Sequence, residues 1–266
     1  MFKRLQINGV GMTKLTTITK NMAHMPLAVA KQPRSALIIC MGMGTTLRSF
    51  TSWPLEKITM VELSRGVIQS FPYFHSDANK VIADPRVHII EDDGRRYLTR
   101  SNEYYDVITI DPPPPVFASG SGLLYSDEFI AIVKRRLNPE GVFAHWLPEG
   151  DVVLTTAAIN AIKKHFKYVV VYKGVEKWGM QILASNAYLP MLTAKQYAQA
   201  LPKPAIKDIL EWEQSGSLEK VAKESTHVIK PETSKFDIMM SDDRPYNEFY
   251  VLRSNGFMMK NELVAK

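Results

Sequence analysis

The sequence predicts a doubly wound α/β fold on a mostly parallel sheet of seven strands. Three observations carry this. Short, near-continuous apolar runs recur between residues 36 and 184, the pattern of strands buried on both faces. Segments with helical apolar spacing lie between them. Alternation of the two along one chain implies a parallel sheet with helices on both sides.

The elements follow in chain order. Residues 1–33 form a small extension: a short extended piece at Leu5–Val10 and a helix at Thr19–Ala30, broken or bent at Pro26. The strands are Ala36–Cys40, Lys57–Leu63, Val87–Glu91, Tyr105–Ile110, Gly141–Trp146, Tyr168–Tyr172 and Met180–Ala184. In Asp127–Leu137, Phe129, Ile130, Val133 and Leu137 line one face; in Thr155–Phe166, Ala158, Ile159, Ile162 and Phe166 do the same. The short link Lys173–Gly179 makes the last two strands an antiparallel pair at one edge. Helices at Thr193–Leu201, Ile206–Gln214 and Leu218–Glu224, punctuated by prolines and Gly216, form an insertion over residues 190–235. The simplest partition is an extension (1–33), one domain (34–253) carrying that insertion, and a tail (254–266).

Composition excludes several classes. The chain has 266 residues, 45% apolar, with a single cysteine. That is an ordinary globular balance, and Cys40 has no partner for an intramolecular disulfide, so a reducing, cytoplasmic setting is expected. No apolar run approaches the roughly 18–20 residues of a membrane helix. The net charge of +6 is regional: Lys3, Arg4, Lys14, Lys20, Lys31, Arg34 and Arg48 precede the first acid, Glu56, while the remaining residues hold 26 cations and 27 acids. A near-neutral body argues against nucleic acid as partner. His75, His88, His165 and His227 lack neighbours at ligand spacing, so no metal is expected.

In doubly wound sheets ligands sit outside the carboxyl ends of the strands. After the first strand, Gly42 and Gly44 permit a tight turn into a helix N-terminus. Glu62 ends the second strand, 18 residues after Gly44, where a carboxylate accepts from both hydroxyls of a ribose. Asp92 and Asp93 follow the third strand; either is placed to accept from an exocyclic amine such as adenine N6, and Asp93 is also a helix cap. Asp111 ends the fourth strand before Pro112–Pro115, a stiff wall that places the acid in a cleft. Glycine turn, Glu, Asp-Asp and Asp on four successive strand ends describe a site for an S-adenosyl nucleotide. Leu47 stands where a dinucleotide fingerprint needs its last glycine, which argues against NAD.

At these residues the sequence resembles the spermidine synthase family of polyamine aminopropyltransferases, and most closely the domains of that kind fused behind membrane helices. The matching segments are Asn8–Thr13, Lys20–Leu27, Gly42–Gly44, Val61–Leu63, Asp84–Val87, Glu91–Arg95 with Tyr97-Leu98, Tyr105–Pro115, Leu124–Ser126, Arg136–Gly141 and Ser241–Glu248. They cover residues 5–150 well, 236–253 less fully, and 190–235 only loosely.

The resemblance implies a class I S-adenosylmethionine-dependent methyltransferase-like (Rossmann-like) fold. It implies a co-substrate, decarboxylated S-adenosylmethionine or the ordinary form, and aminopropyl transfer to an amine or polyamine acceptor. Glu62 would hold the ribose, Asp92, Asp93 and Gly94 the adenine, and Asp111 with Tyr125 the catalytic position between nucleotide and acceptor. Two family acids are replaced, one by Met43 in the glycine turn and one by Pro114 in the loop after Asp111. Met12 and Thr19–Met22 depart from the family's Gln and its Tyr-His-Glu-Met segment. These departures leave two alternatives open: a methyltransferase on the same fold, with Lys20 near a nucleotide carboxylate, and a nucleotide-binding domain without turnover.

His24, Trp146 and Asp243 are the further substrate-side candidates. His24 is as fit for packing or capping as for catalysis, Trp146 for stacking or the core, and Asp243 for a bridge to Arg244 or the acceptor pocket. Cys40 reads as a small core residue. Residues 1–55 suggest contact with an anionic membrane face or membrane partner, and the resemblance suggests a homodimer.

Overall fold

A computed structural model describes residues 3–7, 10–112, 120–148, 152–231 and 237–245. The chain opens with a hairpin, β1 (Arg4–Ile7) and β2 (Val10–Lys14), paired antiparallel. α1 (Thr17–Val29) follows and continues across Pro26. Proline cannot donate to the carbonyl four residues back. The Thr109 hydroxyl donates to that carbonyl, Met22 O, at 3.3 Å, so of the expected break or bend at Pro26 the break does not occur.

The body alternates as the sequence predicts. β3 (Ser35–Ile39), α2 (Thr45–Phe50), β4 (Lys57–Glu62), α3 (Arg65–Phe74), α4 (Ala78–Ile82), β5 (Val87–Glu91), α5 (Gly94–Arg100) and β6 (Tyr105–Ile110) form the first half. α6 (Asp127–Arg135), β7 (Leu137–Leu147), α7 (Val152–His165), β8 (Tyr168–Lys173) and β9 (Met180–Ser185) form the second. α8 (Ala194–Ala200), α9 (Lys203–Leu210), α10 (Leu218–Ser225) and β10 (Val228–Ile229) complete it. Leu137, expected to close a helix, starts β7 instead.

Among the described residues the sheet has eight strands, not seven, in the order β10-β8-β9-β7-β6-β3-β4-β5. β10, only two residues long, pairs antiparallel with β8 at the edge. β9 is antiparallel to both β7 and β8, so it lies inside the sheet rather than closing an edge. The other pairs are parallel. The order reverses between β3 and β6, which leaves a crevice at their carboxyl ends.

Alternating side chains feed two cores. Ala36, Ile38, Met60, Val107 and Ala144 face Ala23, Met25 and Leu27 of α1. Leu37, Ile39, Ile108, Phe143 and Ile182 face Phe129 of α6 and Ile159 of α7. Each fully buried Leu or Ile contributes about 1.5–3 kcal/mol. This is why the central strands read as unbroken apolar runs. Among the described residues no helix is long and apolar enough to cross a membrane.

Candidate active site

The turn after β3 is wound tightly. Cys40, Gly42 and Gly44 have φ of 72°, 54° and 80°. Gly44 has no substitute: besides its φ, a Cβ there would stand 2.2 Å from Cδ2 of Phe71. The turn closes over the end of β4, where buried Glu62 accepts from the Met41 N–H at 2.7 Å and the Ser64 N–H at 2.9 Å. Each carboxylate oxygen thus takes one backbone donor and keeps acceptor capacity for a ligand.

Cys40 marks where the strand ends converge. Burial pushes its thiol well up, and the charges of Glu62, Asp111 and Asp93 push it further. Such a thiol stays protonated and is not a nucleophile.

Past β5, Asp93 caps α5, accepting from the Arg96 N–H at 2.7 Å. Asp92 accepts from the Asp93 N–H at 2.7 Å and from Nε of Arg96 at 2.5 Å. Gly94 lets α5 meet β3 closely, since a Cβ there would lie 2.3 Å from Ile39. Arg95 pairs with Asp242, with Nη1 at 2.7 Å from Oδ1. Asp243 is exposed beside this bridge.

Asp111 leaves β6 on the α1 face of the sheet. Its carboxyl is half-buried and pushed up to about 6 by burial, against a hydrogen bond that favours the charged form. That bond comes from the Thr46 hydroxyl at 3.2 Å, which is equally far from the Thr19 carbonyl. Tyr125 lies on the other face. It is 2% exposed, its ring centroid is 4.6 Å from that of His145, and among the described residues its hydroxyl has no hydrogen-bond partner. Burial drives the phenol well up, with Cys40 and Asp111 adding to the effect. Both His145 nitrogens lie 2.9 Å from carbonyls, those of Trp146 and Leu124. Trp146 is half-buried, with its ring centroid 4.9 Å from that of Trp178.

The strand ends therefore gather Gly42, Gly44, Glu62, Asp93 and Asp111 about one point, with Asp92, Gly94, Tyr125 and Trp146 on the adjoining ends and loop. His24 is elsewhere. It is fully buried between α1, α2 and α9, with Nε2 2.8 Å from Asp208 and Nδ1 accepting from the Trp53 indole N–H at 2.9 Å. Met43 is buried in the turn. Pro114, the 246–248 part of the C-terminal motif and the 254–266 tail lie outside the described residues.

A charged cluster around His24 escaped the sequence reading. Asp208 accepts from Ser49 Oγ at 2.7 Å and Arg48 Nη1 at 3.0 Å. Lys20, fully buried, meets Glu211 at 2.5 Å and Asp208 at 3.5 Å, with its ammonium 3.9 Å from the Trp212 ring centroid. Arg48 also pairs with Asp77 at 2.8 Å. Lys20 thus serves α9 rather than a nucleotide carboxylate. The only sequence signal was Asp208 and Glu211 spaced three apart, which share a helix face. Among the described residues no group of three or more His, Cys, Asp or Glu is suited to a metal ion.

The comparisons agree with this architecture. The family model described as Spermine/spermidine synthase domain matches residues 16–200. A polyamine aminopropyltransferase of Thermococcus kodakarensis is 33% identical over 160 residues, covering 56% of this chain and 54% of that protein. Another from Thermoplasma volcanium is 30% identical over 183 residues, covering 66% and 62%. The chain spans about half the length of the curated relatives it matches. Among solved structures, a spermidine synthase in complex with the transition-state analogue AdoDATO superposes with TM-score 0.64 at 23% identity, over 77% of this chain and 80% of that one. Human methyltransferase-like protein 13 in complex with SAH gives 0.54 at 20% identity, over 71% and 89%. These two likenesses speak to the fold alone.

Proposed function

Because this chain belongs to the spermine/spermidine synthase domain family, we propose that it is a transferase moving an aminopropyl group from decarboxylated S-adenosylmethionine to an amine or polyamine. The observation that carries the reading is Asp111. It is a half-buried carboxyl pushed up to about 6, at the end of β6 beside the glycine turn. A group poised near neutrality is suited to take a proton from an incoming amine.

In this reading Gly42, Gly44 and Glu62 hold the sugar and sulfonium side of the nucleotide, and Asp92, Asp93 and Gly94 its adenine. The amine nitrogen attacks the propyl carbon next to sulfur, the carbon–sulfur bond breaks, and methylthioadenosine leaves. Asp111 takes the proton released by the new ammonium. Tyr125, the second catalytic candidate, would act from the opposite face of the sheet, where it is buried. Asp243 stands further out, and His24 contributes by holding α1.

Several finer readings travel with this one. The division into an extension over 1–33, a nucleotide-binding catalytic domain over 34–253 and a tail is retained, as are a cytoplasmic setting and a homodimer. Four of the seven cations of residues 1–55 already have acid partners, which weakens the case for membrane docking by this segment. They are Lys20, Lys31, Arg34 and Arg48. Sedimentation with anionic vesicles tests it.

The central experiment reads the by-product by mass after incubation with each nucleotide and an amine. Methylthioadenosine is expected. S-adenosylhomocysteine would mean methyl transfer instead, and neither product would mean binding without turnover.

A further inference from the structure

α2 is the helix that the glycine turn feeds, and it is only 6 residues long. So short a helix has little stability of its own, and side-chain ties decide where it sits. Its Thr45, Thr46 and Ser49 are all buried. Each reaches a different element. Thr45 Oγ1 lies 3.1 Å from Nε2 of His75 at the end of α3. Thr46 Oγ1 lies 3.2 Å from the Thr19 carbonyl of α1 and 3.2 Å from the Asp111 carboxyl. Ser49 Oγ donates to Oδ2 of Asp208 on α9 at 2.7 Å.

That last oxygen is shared. Nε2 of His24, on α1, lies 2.8 Å from the same Oδ2. Asp208 therefore joins α1 to α2 through one atom. Its other oxygen takes Arg48 Nη1 of α2 at 3.0 Å and lies 3.5 Å from the Lys20 ammonium of α1. The two helices are thus locked at Ser49, one turn from Thr46 on the same helix face. The lock matters at Thr46, where a hydroxyl with a single proton faces two acceptors. One acceptor, the Thr19 carbonyl, rides on α1. The other, the Asp111 carboxyl, is fixed to the end of β6. Where α2 stands between α1 and the sheet decides which of them the proton serves.

We propose that Asp208 and Ser49 are positioning residues for the reaction: by locking α2 to α1 they hold the Thr46 hydroxyl on the Asp111 carboxylate. The inference rests on the transferase reading above and extends it to the insertion over 190–235, which supplies Asp208. Its effect travels through a hydrogen bond, and the groups around Asp111 keep that separable from charge. Cys40 and Tyr125 feel the Asp111 charge, but burial pushes both well up, so they stay neutral while Asp111 titrates. Glu62 and Asp93 act on Cys40 as Asp111 does. Around them stand Lys20 and His24 of α1, Arg48 of α2, His75 and Asp77 after α3, and Asp208 and Glu211 of the insertion. Replacing Ser49 by Ala alters none of these charges.

The test is an NMR titration of the Asp111 carboxyl in the whole protein, carbon-labelled at aspartate, with the signal assigned by its loss in Asp111→Asn. The wild-type midpoint is expected at about 6. Ser49→Ala should raise it by about half a pH unit and Thr46→Val by about one. The double variant should match Thr46→Val alone, because Ser49 acts through Thr46. Alanine is the better helix former, so Ser49→Ala keeps the fold. A midpoint unmoved by Ser49→Ala, even with a lowered melting temperature, overturns the inference, as do shifts that add in the double variant. The acid limb of kcat/KM should move with the midpoint, read as methylthioadenosine formed from decarboxylated S-adenosylmethionine and 1,4-diaminobutane. Midpoints that shift in a protein forming no methylthioadenosine remove the transferase reading and leave the hold on Asp111. Product formation with unmoved midpoints removes the hold and leaves the reading.

Discussion

Nε2 of His24 on α1 lies 2.8 Å from Oδ2 of Asp208 on α9, while Nδ1 of the same ring accepts from the Trp53 indole. An indole nitrogen only donates, so the imidazole proton sits on Nε2 and the ring is neutral. Asp208 gathers Ser49 and Arg48 of α2 as well, with Lys20 of α1 close by. One carboxylate thus clamps α9 to the two helices that flank the glycine turn.

Burial would raise the Asp208 carboxyl, but the hydrogen bond from His24, the charge of Lys20 and the hydrogen bond from Ser49 outweigh it and hold it well below the usual range. Asp208→Ala leaves Lys20 and Arg48 short of a buried counter-charge. Removing one partner of a buried pair costs about 3–5 kcal/mol. Urea unfolding should show a loss of that order, with Asp208→Glu recovering part of it. A loss below about 1 kcal/mol would mean that Glu211 and Asp77 suffice for both cations.

His24 makes stability depend on pH. Burial lowers its value from the ordinary 6.5, against the pull of Asp208. The unfolded chain then binds the proton more tightly, so stability is full above about 6.5 and falls as the pH drops below it. Asp208 adds its own loss only below about 3.8. His24→Gln should flatten the unfolding free energy between about pH 5 and 6.5. An unchanged slope in that variant would assign the effect to another group.

The sheet was legible because strands buried on both faces need unbroken apolar runs, as in Ala36–Ile39 and Val107–Ile110. The Val228–Ile229 strand was not, because two residues carry no pattern. The place of β9 between β7 and β8 was hidden for another reason: order in a sheet is a long-range property. Strand-end chemistry was legible where it is local, as in the Asp93 cap and the acid ending β4. The clamp was not, since Lys20 and Glu211 stand 191 residues apart. Within the insertion over 190–235, Asp208 and Glu211 find their partners only in the fold.

Glu62 carries the third prediction. Both its oxygens accept backbone N–H groups. In Glu62→Gln the amide NH2 faces one of those donors and leaves it unmet, at a cost of about 1–3 kcal/mol. Losing a charged acceptor should weaken methylthioadenosine about tenfold to a hundredfold. Titration calorimetry and thermal unfolding read the two effects separately. A variant with lowered stability and native affinity would take Glu62 out of the ligand site.

Asp111 binds function to instability. Its folded value of about 6 lies above the ordinary 3.8, with burial the cause. A raised carboxyl binds its proton more tightly when folded. Its ionised form is therefore unfavourable above about pH 6, and the penalty fades as the pH falls towards 4. Asp111→Asn should be more stable at pH 8, by on the order of 2 kcal/mol, with the gain shrinking near pH 4. The same variant should lose at least about a hundredfold in turnover, as removal of a general base does. In the wild type, kcat/KM should fall as the pH drops through about 6. The Thr46 hydroxyl favours the ionised form, so Thr46→Val should move that limb to higher pH while sparing activity at pH 9. A limb that stays in place would separate Thr46 from Asp111. Full turnover in Asp111→Asn would remove the carboxylate from the chemistry and leave its desolvation without a purpose.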